Sequence, residues 1–515
     1  MVNAETLQPS PSRFTRRSLL RMLCLFLLFL LAALVRLHDL KAPGLLLDRE
    51  YTSAIFARAF YFMSDDEVEA WRRDIAVTTM NQQPVLEPPL VEYLVSYIYR
   101  LMGREDMSYS RYLTSAFWLI GGMFMYWIAR RLLSSEAAIF ATIYYLFAPE
   151  GILISRSFQP DSLMMLLFLA SLLMLVRYFE SPGVGRLLQG SIITALTLLL
   201  RPLVIFAVFF AFLAMSFQKE GNWRKILKPP LIIFSMISLL PAAIYYGYGI
   251  VFAGFMRWKI SNSFMPHLLT KKDFWLGWLQ SGSEVVGGTF LIAAIIGFFL
   301  IPNRLARSLV IGLAVSYPIF GLAFTYHIHT HPYYHIQLFP LVAICAAACL
   351  DMLIKVLRHH AGKLWLVPVM ISLLISFSLV FLTFRHSLYR ARMEDPRIAW
   401  EIGELIAHSP HTVFIARYYG LPLEYYGEFG GAPWPVRIED PFYRAPGAAE
   451  QSVKERMDRL GFRPEYFVVT HFDLYERKHQ DLQEYLKDSC ALQIQAPEYL
   501  VYGNCLEPAG NRASQ

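Results

Sequence analysis

The chain has 515 residues, of which 56% are hydrophobic and 17% charged, against about a quarter charged in an ordinary soluble domain. The deficit runs along most of the length, which excludes a soluble enzyme, a single-anchor protein and a β-barrel porin, and an aromatic content of 15% excludes a disordered chain. The net charge of +7 comes from basic residues beside apolar runs, so it orients helices and meets lipid headgroups, and nucleic acid is not an expected partner.

A bilayer core takes about 20 apolar residues. Arg13, Arg16, Arg17 and Arg21 precede an apolar run over 18–37. It is too long for a signal-peptide core and is followed by Arg36 and His38 rather than a small-residue cleavage site. The expectation is an uncleaved first span with a cytoplasmic N-terminus. Residues 38–108 form a first outer loop. Within it Leu90, Val91, Tyr93, Leu94, Tyr97, Ile98 and Leu101 fall on one helical face after Glu87-Pro88-Pro89, the pattern of a helix lying at the interface. A second amphipathic stretch covers Tyr51 to Met63.

Further spans are expected over 110–129, 134–152 and 162–178, with Arg130 and Arg131 on the cytoplasmic side. The segment 188–217 is too long for one straight span, and Arg201-Pro202 interrupts it. The residue before proline resists helix, so two short helices meeting outside at Arg201 are expected. Spans follow over 229–252, 286–301, 305–325, 336–354 and 364–384. The total is about eleven, and the basic loops at 130–131, 219–228, 304–307 and 355–363 then all fall inside.

Residues 386–515 have soluble composition and end outside under this count. Segments 397–407, 449–460 and 474–488 read as helices, and Val413–Ala416, Tyr466–Thr470, Ala491–Gln495 and Tyr499–Tyr502 as strands. The expectation is a small α/β domain without a glycine-rich phosphate fingerprint. The last two strands form a hairpin that brings Cys490 beside Cys505, a pairing favoured in an oxidising compartment. Cys24, Cys345 and Cys349 lie in apolar spans as packing residues.

Ionisable residues at membrane level are candidate site residues, and here they collect on the outer side. They are Asp48, Arg49, Glu50, Arg58, Glu87, Arg156, Asp161, Arg201, Lys259 and His267, followed by His331, Tyr333, Tyr334 and His335. Carboxylates and cations converging on one cavity point to acid–base work on a substrate that carries an anion. A divalent metal, if one binds, is expected at Glu87 and His267. The histidines at 327, 329, 331 and 335 read as structural or donor-contact residues rather than a zinc site.

Four segments carry a family resemblance. LLLDREYTSAIFAR resembles the first outer loop of the GT-C glycosyltransferases that use polyprenol-phosphate sugars, a group that includes the bacterial aminoarabinose transferases and the protein O-mannosyltransferases. Their acidic pair after the first span is often Asp-Glu; here Arg49 intervenes. LEPPLVEYLVSYIYRLMG resembles their Pro-Pro segment, where Lys-Pro-Pro is commoner. SRSFQPDSLM resembles their Arg…Asp turn, and HPYYHIQLFP their late Tyr-Tyr…Pro segment. The four occur in the family's order across residues 1–385, and 386–515 carries no match.

The resemblance implies a GT-C membrane protein that moves a sugar, with inversion, from a polyprenyl monophosphate to a lipid, glycan or protein acceptor outside the inner (plasma) membrane. By position in the family motif Asp48 is the general base, with Glu50 beside it. Arg58 and Arg201, then Lys259, Tyr333 and His335, are expected at the donor phosphate. Arg49, Glu87, Arg156 and Asp161 support the site, the last with Arg156 in a structural pair. A lipid flippase fits less well, because no second broken span mirrors the one at Pro202. An O-antigen-type ligase or polymerase fits less well because an acidic motif, not an arginine-rich loop, follows the first span.

Overall fold

The computed structural model describes residues 16–41, 48–85, 87–222, 229–257, 263–361, 395–434 and 452–505, with isolated positions at 370, 374, 377 and 378. The apolar runs form helices. α1 (Arg16–Leu37) leads to three loop helices, α2 (Asp48–Phe62), α3 (Ala70–Gln82) and α4 (Leu90–Met102). Next come α5 (Met107–Leu132), α6 (Ser135–Phe147), α7 (Pro149–Ser155), α8 (Asp161–Glu180), α9 (Val184–Leu200), α10 (Ile205–Glu220) and α11 (Pro229–Val251). The bundle continues with α12 (Lys272–Val286), α13 (Gly288–Leu300), α14 (Arg304–Ala323), α15 (Thr325–Thr330) and α16 (Phe339–Ala361).

Local chemistry sets these boundaries. Asp106, Ser134 and Asn303 cap α5, α6 and α14 by accepting from backbone N–H groups of the first turn. Gly103 closes α4 with a left-handed φ of 64°. Among the described residues seven helices are long and apolar enough to cross a membrane, and nine spans result if each bent pair counts as one. The bent pairs are α6 with α7, at 57°, and α12 with α13, at 92°. Of the two other expected spans, one is the 17-residue α9; the other, 364–384, lies outside the described residues except at the four isolated positions.

Close helix packing rests on small residues. A Cβ on Gly297 of α13 would meet the Cys345 carbonyl oxygen of α16 at 1.8 Å, and one on Gly312 of α14 would meet the Phe210 carbonyl of α10 at 2.5 Å. α8 and α9 are joined only by Ser181–Gly183, so the start of α8 and the end of α9 lie at the same end of the bundle. Arg201, extended at φ −147° and ψ 94°, ends α9 there, and Pro202 restarts the chain into α10. The break stands where the sequence places it.

After residue 395 the chain forms a mixed five-stranded sheet. The strands are β1 (Thr412–Ile415), β2 (Gly431–Pro433), β3 (Tyr466–Val469), β4 (Ala491–Gln495) and β5 (Leu500–Gly503), in the order β2-β1-β3-β5-β4. β1 is parallel to β2 and β3, while β5 is antiparallel to β3 and β4. Alternate residues of β1 enter different cores: Phe414 packs with Ile402, Leu423 and Val468, and Val413 and Ile415 with Trp434, Leu482 and Leu486. The helices of this region are α17 (Pro396–Leu405), α18 (Leu421–Gly427), α19 (Val453–Asp458), α20 (Phe472–Lys478) and α21 (Gln480–Ser489). The single helix expected over 474–488 is thus two, separated at His479. Cys490 and Cys505 are joined in a disulfide.

The sheet domain seats on the loop helices. Tyr51 of α2 packs edge-on against Tyr425 and Tyr426 of α18, and Gln82 of α3 both donates to the Pro410 carbonyl and accepts from the Gly431 N–H. The two non-membrane blocks therefore share one end of the bundle.

Candidate functional site

Three ionic clusters organise that end. The first is a chain of alternating charge. Arg49 in the first turn of α2 donates to Glu87 Oε1 at 2.5 Å; Glu87 Oε2 lies 3.5 Å from Arg201 Nη1; and Arg201 Nη2 donates to Asp161 Oδ2 at 2.7 Å. Asp161 opens α8, Arg201 sits at the α9 break, and Glu87 precedes the Pro-Pro turn into α4. Glu87, Asp161 and Arg201 are all buried. The Arg201 guanidinium also lies 5.8 Å from the centre of the Tyr333 ring, and its Nε is buried without a hydrogen-bond partner. A small cavity beside it is lined by Asp161, Arg201, Tyr333, Tyr334 and Gln337 among apolar residues. Glu92 of α4 extends the cluster: it accepts from Ser53 Oγ at 2.7 Å and lies 3.7 Å from Arg49. Burial pushes the Glu92 carboxyl up, against the opposing pull of Arg49 and Ser53. Burial alone would lower Arg49, but Glu87 and Glu92 outweigh it and hold the guanidinium above its ordinary value.

The second cluster locks α2 to the bundle. Arg111 of α5 grips both oxygens of Glu50, through Nε at 2.8 Å and Nη2 at 3.1 Å, and the Phe158 N–H donates to Glu50 Oε1 at 3.1 Å. Arg111 Nη1 also donates to the Leu40 carbonyl at 2.7 Å. Glu50 is 0% and Arg111 2% exposed. The third cluster ties loop to sheet domain. Arg58 donates to both Glu105 oxygens and to the Tyr425 carbonyl, Tyr425 donates from its hydroxyl to Glu105, and Arg72 pairs with Glu428. Glu424 is buried there with Oε1 unpartnered.

Several expectations change on this geometry. Arg58 does not join Arg201: it sits over the Tyr425 ring at 3.9 Å in the interface with the sheet domain. His335 is 0% exposed, and both ring nitrogens are engaged internally, Nδ1 with Tyr317 Oη at 2.7 Å and Nε2 with the Ile328 carbonyl at 3.0 Å. It has no nitrogen to offer a phosphate. Arg156 and Asp161 are not a pair, since Arg156 donates to the His38 carbonyl and Asp161 takes Arg201. Glu50 is enclosed by its partners rather than facing a cavity. Asp48 is the first residue of α2, but its side chain lies outside the described residues, as does Lys259 altogether.

The residues do not fit a divalent metal at Glu87 and His267. Both Glu87 oxygens face guanidinium groups, which repel a divalent cation, and His267 lies in the turn Pro266–Thr270 with Nε2 unpartnered. Among the described residues no three His, Cys, Asp or Glu side chains are grouped to hold a metal. Arg111 is not among the residues expected at the site, although an arginine just inside a span is itself a signal. By sequence Glu92 only interrupts the apolar face of α4, and it is the approach of Ser53 and Arg49 from α2 that buries it.

A family model described as dolichyl-phosphate-mannose-protein mannosyltransferase matches residues 86–246. No curated protein is matched by sequence. The solved structure of ArnT from Cupriavidus metallidurans in the apo state aligns with a TM-score of 0.58 at 15% identity, over 95% of this chain and 99% of that one. The protein has the GT-C fold. The GT-C likeness extends to ArnT of the same organism bound to undecaprenyl phosphate, at a TM-score of 0.54 and 14% identity over 94% and 98% of the two chains. It also extends to the oligosaccharyltransferase AglB of Archaeoglobus fulgidus, in complex with an inhibitory peptide and a dolichol-phosphate. There the TM-score is 0.56 and the identity 11%, over 90% of this chain and 70% of that one.

Proposed function

We propose that the protein transfers a sugar from a polyprenyl monophosphate to an extracytoplasmic acceptor. The observation that carries this reading is Arg201: a buried guanidinium at a helix break, beside a cavity, with Nε–H unused and Tyr333 alongside. A departing lipid phosphate gains negative charge as the glycosidic bond breaks, and a fixed arginine fork meets that charge without reorganising. The matched family and the lipid phosphates bound by the similar proteins support the same ligand class.

Asp48 is the general base of this reaction. A hydroxyl acceptor is a poor nucleophile, and a positioned carboxylate takes its proton as the new bond forms at the anomeric carbon, on the face opposite the phosphate. That order of events inverts the anomeric centre. The clusters that pin α2 serve the base: Glu50–Arg111 fixes the helix start from one side, and Arg49 with Ser53 fixes it from the other. The basic loops and the Cys490–Cys505 bond, of a kind favoured in an oxidising compartment, support an outward-facing sheet domain. The loop, the site and the sheet domain then face outward from the inner membrane.

The test is turnover by the purified protein in lipid nanodiscs, supplied with polyprenyl-phosphate sugars and an acceptor extract but no nucleotide sugar. Release of polyprenyl phosphate, dependent on Asp48, is expected. Transfer that requires a nucleotide sugar, or lipid movement across the bilayer without bond cleavage, would overturn the reading.

A further inference from the structure

We infer that Glu87 is an internal stand-in for the donor phosphate, an anion of the chain's own that occupies Nη1 of Arg201 until the lipid phosphate displaces it. The inference rests on the reading of Arg201 as the phosphate contact and adds a regulating residue to it.

The two carboxylates on Arg201 are held unequally. Asp161 is at 2.7 Å and Glu87 at 3.5 Å. They also differ in what each has elsewhere. Glu87 is held at 2.5 Å by Arg49, so it stays neutralised when it leaves Arg201. Asp161 has Arg201 as its ion-pair partner among the described residues, and letting go would leave a buried charge uncompensated. The contact that yields to an incoming anion is therefore Glu87. Its departure frees Nη1 as a charged donor for a phosphate oxygen, while the unpartnered Nε–H, on the opposite flank beside Nη2, remains a separate donor. Asp161 on Nη2 keeps the plane of the fork fixed meanwhile.

Arg49 is the partner to which Glu87 retreats. Arg49 and Arg201 face Glu87 and Asp161, with Glu92 also beside Arg49, so among these described groups no surplus cation is offered to an anion while Glu87 sits on Arg201. A monophosphate gains from Arg201 only as Glu87 swings toward Arg49. Glu87 thus sets donor affinity and favours release of the spent lipid phosphate after transfer, by returning to the fork. This gives the pair Arg49 and Glu87 a joint function across 38 residues of sequence.

The test measures binding of undecaprenyl phosphate to the full-length protein in nanodiscs, with inorganic phosphate and undecaprenol as parallel ligands. Glu87→Gln removes the competing charge and should lower Kd for undecaprenyl phosphate about tenfold, a shift of ~1.4 kcal/mol. Arg49→Gln leaves Glu87 with Arg201 and should raise Kd by a similar factor. This opposite sign tests the inference even if Glu87→Gln fails to fold. Undecaprenol, lacking the anion, should respond to neither substitution. A folded Glu87→Gln protein that binds the lipid phosphate unchanged or more weakly overturns the inference, as does a gain for undecaprenol. A gain confined to inorganic phosphate overturns the lipid as its ligand. Arg201→Ala separates the layers. If it leaves undecaprenyl phosphate binding intact, the phosphate reading of Arg201 falls. If it abolishes binding while Glu87→Gln has no effect, only the stand-in role of Glu87 falls.

Discussion

Substituting Glu50 by Gln separates a structural carboxylate from a chemical one. In the folded chain Glu50 is fully buried, gripped through both oxygens by Arg111, itself 2% exposed, and approached by the Phe158 N–H. Removing one member of a buried pair leaves the other as an uncompensated charge, at a cost of about 3–5 kcal/mol. Arg111 stays buried when the carboxylate that it grips is neutralised, so Glu50→Gln should lose stability toward that scale. Because the pair fixes the start of α2, transfer should fall with it. Replacing both partners by apolar residues, as in Glu50→Leu with Arg111→Met, should recover much of the stability, since the desolvation cost disappears with the charges. The assay is thermal unfolding of detergent-solubilised protein for the two single variants and the double, with turnover measured on each. A Glu50→Gln protein as stable as the wild type but without activity would refute the structural assignment and make Glu50 a chemical participant.

The other outcomes follow from the same geometry. Asp48→Asn should leave the protein folded and inserted and slow transfer by about 10²–10⁴; wild-type turnover by that variant, measured with a defined donor, would remove the base assignment. Arg201→Lys should restore only part of the donor binding lost in Arg201→Ala, because an ammonium lacks the planar fork; full restoration would show that charge alone suffices. Thiol labelling of intact cells should reach Cys490 and Cys505 only after reduction, and opening that 15-residue separation should cost the sheet domain roughly 3 kcal/mol; labelling without reductant would contradict both the bond and the outward orientation. Burial holds the Glu424 carboxyl well above its ordinary value, against hydrogen bonds from Gln83 and the Gly431 backbone. The folded state therefore keeps a proton that the unfolded chain releases, so this residue favours folding below its ordinary range and loses that contribution as pH rises toward the elevated value. Glu424→Gln should accordingly gain thermal stability near neutral pH and show a flatter pH profile; a loss of stability there would place a charged Glu424 in the interface.

Hydropathy and motif order settled the class of this protein before any coordinate. A run such as 18–37 has one way to satisfy its backbone in lipid, and that is a helix. Pro202 had to break its segment because it lacks an N–H and restricts the residue ahead of it, and the Cys490–Cys505 hairpin needed only two strands and a turn. The same local rules located α4 and four of the five strands. They missed β2, whose residues Gly431–Pro433 carry little strand preference and pair only because β1 lies beside them.

Partners were another matter. Asp161 stands five residues from Arg156, yet it pairs with Arg201 across the α8–α9 hairpin. Arg58, on the same helix as Asp48, turns to Glu105 and the sheet domain. Glu50 is claimed by an arginine 61 positions later in the chain. Buried charges take whichever counter-ion the packing of helices delivers within about 4 Å, because at that range the loss of hydration is offset and beyond it is not. Sequence alone brought Arg49, Glu50, Glu87, Asp161 and Arg201 to one end of the bundle, though not Arg111 or Glu92; only the tertiary structure, by setting distances between elements remote in the chain, decided which carboxylate each arginine holds and which cation remains for a ligand.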